Sequence, residues 1–193
     1  MSRLLIVPDE KFEELGSDLK VRLNNLTKEL RWEHLIDLFG AEGATILSAI
    51  PGDDASREIQ IWGRAPNSFI VVWSSKGQGD AAVGSVTAEL GRGLINQVFE
   101  SKRSETKAGD FLNASDWTNL EKKRGTKLSS MAAHPVAVFG RCIAVLSLSH
   151  FEVAGRDPSA DSADTRVAGA ITSLLARLVE DRLIRSCLGL NKA

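Results

Sequence analysis

The sequence predicts an α+β fold: one antiparallel sheet of about five or six strands with helices on both of its faces. Amphipathic patterns at both ends of the chain indicate helices, and short runs rich in β-branched and aromatic residues between them indicate strands. Two long runs with almost no charge, within residues 128–151, meet at Phe139-Gly140-Arg141. Such runs are typical of strands covered on both faces, so we expect them to form the buried floor of the sheet.

The helices expected at the two ends have different patterns. Within residues 9–38, leucines recur at steps near three and four between charged residues. Ser159 or Ser162 can cap the last helix, whose first turn is acidic, a favourable charge at a helix N-terminus. Its apolar residues alternate steps of four and three, a spacing that also suits a seam between two helices: Val167, Ile171, Leu174 and Leu178.

Strands and loops are expected between these helices. The predicted strands of the first half are residues 43–50, 57–63 and 68–75, the first two joined by the turn PGDDAS. A Gly-rich loop at 76–85 precedes a glycine turn and a short helix within 87–107. Residues 108–126 carry little apolar periodicity, and we expect a loop with one short helix around 115–124.

Composition indicates the compartment and argues against several kinds of partner. The 193 residues fit a single domain, and a net charge of −1 gives no general attraction to nucleic acid or to an anionic membrane. The sequence contains no helix-turn-helix pattern and no apolar segment long enough to span a membrane. The two cysteines, Cys142 and Cys187, form no metal-ligand or C-x-x-C pattern, so we expect a reduced, cytoplasmic protein with no direct contact to nucleic acid or membrane.

The order of the segments resembles the GAF family. In ELGRGLINQVFESKRSETKAGDF a Gly-x-Gly turn opens a short helix, a basic step follows and an acidic residue ends the segment; the matching residues are Gly91, Gly93, Val98, Lys102, Arg103 and Asp110. KLSSMAAHPVAVFGRCIAVLSLSHF resembles the paired central strands of the family, with matches at Ser130, Pro135, Val136, Ala144, Val145, Leu146 and Leu148. The likeness spans about residues 29–185, which leaves 1–28 as an N-terminal helical extension and 186–193 as a C-terminal tail.

This resemblance implies a stand-alone sensory or regulatory domain. In the GAF family one face of the sheet, roofed by loops and short helices, encloses a small-molecule pocket, and the other face packs on the first and last helices. We therefore expect a binding protein and not an enzyme, a homodimer formed through the N- and C-terminal helices, and a signalling protein as partner. A ligand would order the loops at 76–85 and 108–126 and thereby bias the packing of the terminal helices.

The candidate ligand residues come from one strand and from the loop before it. Alternation places Ser130, Ala132 and His134 on one face, and the small side chains leave room beside the imidazole. Histidine is the usual switchable group near neutral pH, although a lone histidine is more often a core or edge residue with a backbone partner. Aromatic residues in a polar loop either anchor it to the core or line a site. We expect the ligand to contact Phe111, Trp117, Ser130, Ala132 and His134, with Arg92 or Lys107 as a partner for an anionic group.

No catalytic or metal-binding pattern is visible in the sequence: it has no G-x-S-x-G, no zinc spacing and no complete dinucleotide-binding turn. A lone histidine gives weak support for haem, and Cys142, flanked by apolar residues, resembles a core hydrophobe more than an attachment site for a bilin. We therefore expect neither cofactor. Two alternatives stay open, a ligand-free dimerisation scaffold and a reductase of free methionine sulfoxide, although such reductases need a cluster of cysteines that this chain lacks.

The run Lys122-Lys123-Arg124 forms a local basic patch in the same loop region. Together with Lys102, Arg103 and Lys107 it could face an anionic ligand or an acidic partner. The simpler interpretation is a solvated loop, because surface charges often cluster without a function.

Overall fold

A computed structural model of the protein describes residues 16–25, 57–77, 79–108, 120–121, 124, 127–151 and 162–188. The strands are β1 Arg57–Arg64, β2 Ser68–Ser74, β3 Thr87–Glu89, β4 Glu105–Ala108, β5 Leu128–Val138 and β6 Arg141–Phe151. The helices are α1 at residues 16–25, α2 at Gly93–Ser101 and α3 at Ser162–Cys187. The α+β class predicted from the sequence is confirmed.

The six strands form one antiparallel sheet in the order β3-β2-β1-β6-β5-β4. β1 and β6 lie at its centre and pair from Arg57 opposite His150 to Gly63 opposite Ala144. β5 and β6 form the predicted hairpin, closed by Phe139 and Gly140. Both turn residues have positive φ, 47° and 75°, as a two-residue turn of type I′ requires.

One face of the sheet packs on α3, and we call it the α3 face. Ile59 of β1 and Leu146 of β6 belong to an apolar core that α3 completes with Ile171 and Leu175. Leu23 of α1 packs against the same core. Burial against the sheet therefore explains Ile171 and Leu175, whereas Leu174 of the predicted spacing is exposed.

The opposite face lies under α2, and we call it the α2 face. Trp62 of β1 and Met131 of β5 pack there with Leu94 and Val98 of α2. Leu120, from the segment between β4 and β5, joins this second core, as do residues of the loop after β2: Ala82 and Val86. Each face of the sheet is therefore covered, which explains why β5 and β6 are buried at most of their positions.

The glycine turn before α2 has the conformation that its sequence predicts. Gly91 and Gly93 have φ of 79° and 74°, values that residues with a Cβ rarely adopt. The side chain of Asn96 closes the turn, because its Oδ1 accepts the N–H of Gly91 at 2.9 Å. The turn therefore directs the chain from β3 into α2.

Two short edge strands were not predicted. β3 (TAE) and β4 (ETKA) have three and four residues and no apolar alternation, so only their pairing with β2 and β5 identifies them. The predicted strand at 43–50, the boundary at residue 28 and most of the helices predicted at 9–38 and 115–124 lie outside the described residues. α3 continues through Cys187 into the predicted tail. None of the helices in the described ranges is long and apolar enough to cross a membrane.

Candidate ligand-binding site

Four polar side chains lie side by side in the middle of the α2 face. β1 and β6 pair Glu58 with Ser149 and Gln60 with Ser147, while Ile59 between them faces α3. All four polar residues have 0% exposure. Burying polar groups in an apolar layer costs free energy unless each finds a hydrogen-bond partner, so this polar cluster is the least expected part of the core.

The Glu58 carboxylate is bound by Arg124, which comes from the segment between β4 and β5. Nε of Arg124 donates to Oε2 of Glu58 at 2.6 Å, and Nη2 donates to Oε1 at 2.5 Å. The arginine side chain is 19% exposed and the glutamate side chain 0%. Arg124 therefore lies between the buried carboxylate and solvent. Within the predicted basic patch, this one residue is not a solvated cation but part of a buried ion pair.

Asp80, in the loop after β2, provides a second carboxylate on the same guanidinium. Nη1 of Arg124 donates to Oδ1 of Asp80 at 2.6 Å, and Nη2 also donates to Oδ2. Oδ1 further accepts the N–H of Ala82 at 3.1 Å. At least four of the five N–H donors of Arg124 are therefore used by two carboxylates.

These contacts displace the protonation equilibria of both partners. Burial raises the pKa of Asp80, but hydrogen bonds from Arg124, Ser74 and the Ala82 N–H outweigh it and lower the pKa to about 2. The hydrogen bonds to Glu58 and Asp80 raise the pKa of Arg124 further above its ordinary value. The guanidinium is therefore charged at any pH at which the protein is folded.

The neighbouring side chains fix the orientation of Glu58. Nε2 of Gln60 donates to Oε1 of Glu58 at 2.6 Å, and the Ser74 hydroxyl donates to the same oxygen at 3.3 Å. Nε1 of Trp62 donates to Oγ of Ser147 at 2.8 Å, and this hydroxyl lies 3.4 Å from Oε1 of Gln60. The chain of hydrogen bonds thus runs from Trp62 to the carboxylate that Arg124 binds.

The Ser149 hydroxyl is the exception, because its Oγ has no hydrogen-bond partner among the described residues. Ser149 lies opposite Glu58 on β1 and opposite Met131 on β5. A buried hydroxyl without a partner costs about 1–3 kcal/mol, which makes it a group that a bound molecule could satisfy.

The three site residues predicted from β5 share a face, and that face packs on α3. Ala132 is part of the core with α3, and Ser130 is buried. The His134 ring lies against Gly169 of α3, where an added Cβ would stand 3.7 Å from Cε1 and Nδ1 of the ring. Nδ1 of His134 lies 2.9 Å from the Ser104 hydroxyl, Nε2 has no partner within the described part of the chain, and burial lowers the pKa of the imidazole.

The other predicted site residues are dispersed. Arg92 is exposed at the start of α2 and lies 3.9 Å from the Glu89 carboxylate. Lys107 is half-buried on the edge strand β4. Phe111 and Trp117 lie outside the described residues.

Sequence reasoning missed the polar cluster, although a signal was present. In REIQIWG and VLSLSHF, polar residues alternate with isoleucine and leucine over two strands that pair: Glu58, Gln60, Ser147 and Ser149. Such alternation usually marks a strand with one solvated face. Here the polar face is covered, which only the packing of the α2 face reveals.

Cys142 and Cys187 lie in different surroundings. Burial raises the pKa of Cys142 to about 12, so the thiol stays protonated at neutral pH, and its Sγ lies 3.3 Å from the Ala144 carbonyl oxygen. Cys187, half-buried at the end of α3, is a free thiol as well. Within the described ranges, no three histidine, cysteine or carboxylate side chains come together to hold a metal ion.

No protein-family model and no curated protein sequence matches the chain. The fold is similar to the GAF domain of nlh2 of A. Aeolicus in an inactive state, with a TM-score of 0.54 and 17% identity over 85% of this chain and 99% of that one. The GAF domain of a two-component sensor histidine kinase from Bacillus halodurans also has a TM-score of 0.54, with 16% identity over 78% of this chain and 97% of that one. The reduced form of fRMsr of Staphylococcus aureus has a TM-score of 0.52, with 13% identity over 93% of this chain and 99% of that one. These similarities show that the chain has the GAF fold.

Proposed function

We propose that the protein is a sensory or regulatory domain that binds a small molecule on the α2 face of its sheet. The observation that carries this proposal is the polar cluster of Glu58, Gln60, Ser147 and Ser149, fully buried between apolar residues. Apolar side chains could fill this layer at lower cost. A polar cluster that includes a hydroxyl with no partner in the described part of the chain therefore supports a binding role.

The ligand would contact Ser149 and Glu58 and lie against the apolar side chains around them, Trp62 and Met131. Phe111 and Trp117 stay proposed as aromatic contacts on the basis of the sequence alone. Arg92 and Lys107, predicted for an anionic group, are less favoured here because the cluster itself is rich in carboxylates.

For the β5 residues on the α3 face we propose a coupling role. β1 and β6 carry the polar cluster on one face and pack against α3 with the other, through Ile59 and Leu148. A ligand that favours one arrangement of the α2 face would therefore shift the packing of α3, provided that its affinity differs between the two arrangements. The His134 ring lies against Gly169 of α3, so a shift of this helix would change the surroundings of the ring.

We further propose that the protein forms a homodimer through α1 and α3 and that a signalling protein binds this dimer. Val21 of α1 and Leu174 of α3 support this interface, because these large apolar side chains are 55% and 54% exposed. Cys142 and Cys187 are both free thiols, which supports a reducing, cytoplasmic location.

Native mass spectrometry of the protein as purified tests this function, with denaturing mass spectrometry and an absorption scan of the same sample. We expect a dimer with additional non-covalent mass. Two matched variants assign that mass to a face: Ser149→Ala on the α2 face should lose it, and Ser130→Ala on the α3 face should retain it. Loss with Ser130→Ala alone would favour the site predicted from β5. The ligand-free dimerisation scaffold would be favoured by a dimer that carries no added mass and whose melting temperature is not raised by any compound in a panel of metabolites.

A further inference from the structure

We propose that Arg124 takes the place of a ligand's cationic group, and that the protein binds an organic cation of the guanidinium class, which displaces Arg124 from Glu58 and Asp80. The inference rests on the proposed function, since it specifies the ligand chemistry of the same site. It makes Arg124 an internal competitor for that ligand.

The charges of the site favour a cation. Two carboxylates, 0% and 2% exposed, share one guanidinium. If Arg124 withdrew without a replacement, two buried carboxylates would lose their shared partner, which is strongly unfavourable. Any molecule that takes the place of Arg124 must therefore carry positive charge, whereas an anion would enter beside two carboxylates.

The geometry favours a planar guanidinium over an ammonium group. Arg124 donates to both oxygens of Glu58 and to both oxygens of Asp80, which requires donors spread over a flat fork. An ammonium group has three donors arranged around one point and cannot form two bidentate pairs at once. A ligand guanidinium can reproduce each of these hydrogen bonds, so the exchange keeps the number of ion pairs.

The structure also indicates which member of the cluster can leave. Glu58 is held in the sheet by Gln60 and Ser74, and Asp80 accepts the N–H of Ala82. Arg124 is the most exposed of the three ion-pair partners, at 19%. Withdrawal of the arginine into solvent therefore leaves the two carboxylates held in place.

The Ser149 hydroxyl supports a ligand site over a purely structural ion pair. Its buried hydroxyl stands opposite Glu58 and has no partner among the described residues while Arg124 is in place. Arg124 thus binds the carboxylates, while the Ser149 hydroxyl has no partner in the described ranges. A ligand with a polar atom beside its guanidinium would satisfy both.

The test uses three small probes of similar size: methylguanidine, methylammonium and methylurea, which is neutral. Each is titrated into wild type and Arg124→Ala, with the melting temperature and ligand-observed NMR as readouts. Because Arg124 competes, we expect methylguanidine to half-saturate the variant at a concentration at least about tenfold lower than wild type. Methylammonium should bind the variant more weakly than methylguanidine does. Methylurea should bind neither wild type nor the variant. Glu58→Gln, combined with Arg124→Ala, should abolish the binding of methylguanidine.

If Arg124→Ala does not fold, Arg124→Lys is used instead, because lysine keeps a positive charge but lacks the planar set of guanidinium donors. This variant should also bind methylguanidine more tightly than wild type. If the ion pair is purely structural, methylguanidine should restore the melting temperature of the variant but show no saturable binding to wild type. That result would overturn the proposal. Equal affinity for wild type and variant, or a methylurea response equal to that of methylguanidine, would overturn it as well. An uncharged co-purified molecule that is lost in Ser149→Ala would overturn the guanidinium class and leave the proposed function intact.

Discussion

Arg124 and Glu58 lie 66 residues apart in the sequence and form a bidentate ion pair, with Nε–Oε2 and Nη2–Oε1 distances of 2.6 and 2.5 Å. The pair joins the segment between β4 and β5 to the central strand β1. Glu58 is fully buried, and its carboxylate also accepts hydrogen bonds from Gln60 and Ser74. The stability of the α2 face should therefore depend on the groups around the guanidinium.

Asp80→Asn should destabilise the protein at neutral pH and have little effect in acid. The pKa of Asp80 is lowered to about 2, so its contribution is fully present above its ordinary pKa and is lost as the pH falls from about 4 to about 2. Urea unfolding of wild type and variant over this range measures the difference in unfolding free energy. Because the contribution of the Asp80 charge is lost in acid, that difference should shrink as the pH falls. A constant difference would contradict the role of the charge.

Two serines in β6 should respond in opposite ways to the same substitution. Ser147→Ala removes the acceptor of the Trp62 indole N–H and should lower the unfolding free energy by about 1–3 kcal/mol. Ser149→Ala removes a buried hydroxyl without a partner among the described residues, so it should leave the free energy unchanged or raise it. Chemical denaturation of the two variants gives the comparison. A loss at Ser149 equal to that at Ser147 would mean that its hydroxyl is satisfied within the protein.

The sequence predicted the fold well because its signals are local. The β-branched runs at 57–63 and 68–75, the apolar pair at 128–151 and the spacing in the last helix each correspond to an observed element. β3 and β4 were missed because three or four residues are too few to show an apolar alternation, and they become strands only through their partners. Local pattern therefore identifies the elements with a buried face and not the polar edges.

Less of the candidate site than of the fold follows from the sequence, for a physical reason. Alternation correctly grouped Ser130, Ala132 and His134, but it cannot tell which helix covers a face, and α3 covers this one. The ion pair of Arg124 with Glu58 has no local signature, because its two halves are separated by three strands and a helix. That Arg124, one residue of a basic run, binds the buried carboxylate of Glu58 is visible only in the folded structure.

Cys142 should be unreactive in the native protein. Burial raises its pKa to about 12, which leaves almost no thiolate at neutral pH, whereas Cys187 is half-buried at a helix end. Iodoacetamide labelling followed by peptide mass spectrometry should therefore modify Cys187 first and Cys142 only after unfolding. Cys142→Ser in a thiol-dependent methionine sulfoxide reduction assay is the matched control. Rapid native labelling of Cys142, or turnover that the substitution abolishes, would favour the reductase alternative.

Gly169→Ala should stabilise the protein. The added Cβ would meet the His134 ring at 3.7 Å, an ordinary van der Waals contact, and alanine is favoured over glycine inside a helix by about 1 kcal/mol. We expect a rise in unfolding free energy of that order, measured by chemical denaturation. A fall would show that α3 packs more tightly on the ring than this spacing allows.

His134 should make the packing of α3 sensitive to mild acid. Burial lowers the pKa of the imidazole, so the neutral ring contributes stability that is complete above its ordinary pKa, near 6.5, and is lost as the pH falls toward the lower value of the folded state. Wild type should therefore lose more unfolding free energy between pH about 7.5 and about 5 than His134→Gln, which cannot gain the proton. Hydrogen exchange of α3 over the same range locates the effect, because a charged ring against Gly169 should loosen the helix before the sheet unfolds. If both proteins show the same pH dependence and the protection factors of α3, corrected for the intrinsic exchange rate, do not fall in acid, the ring is not the group that senses pH.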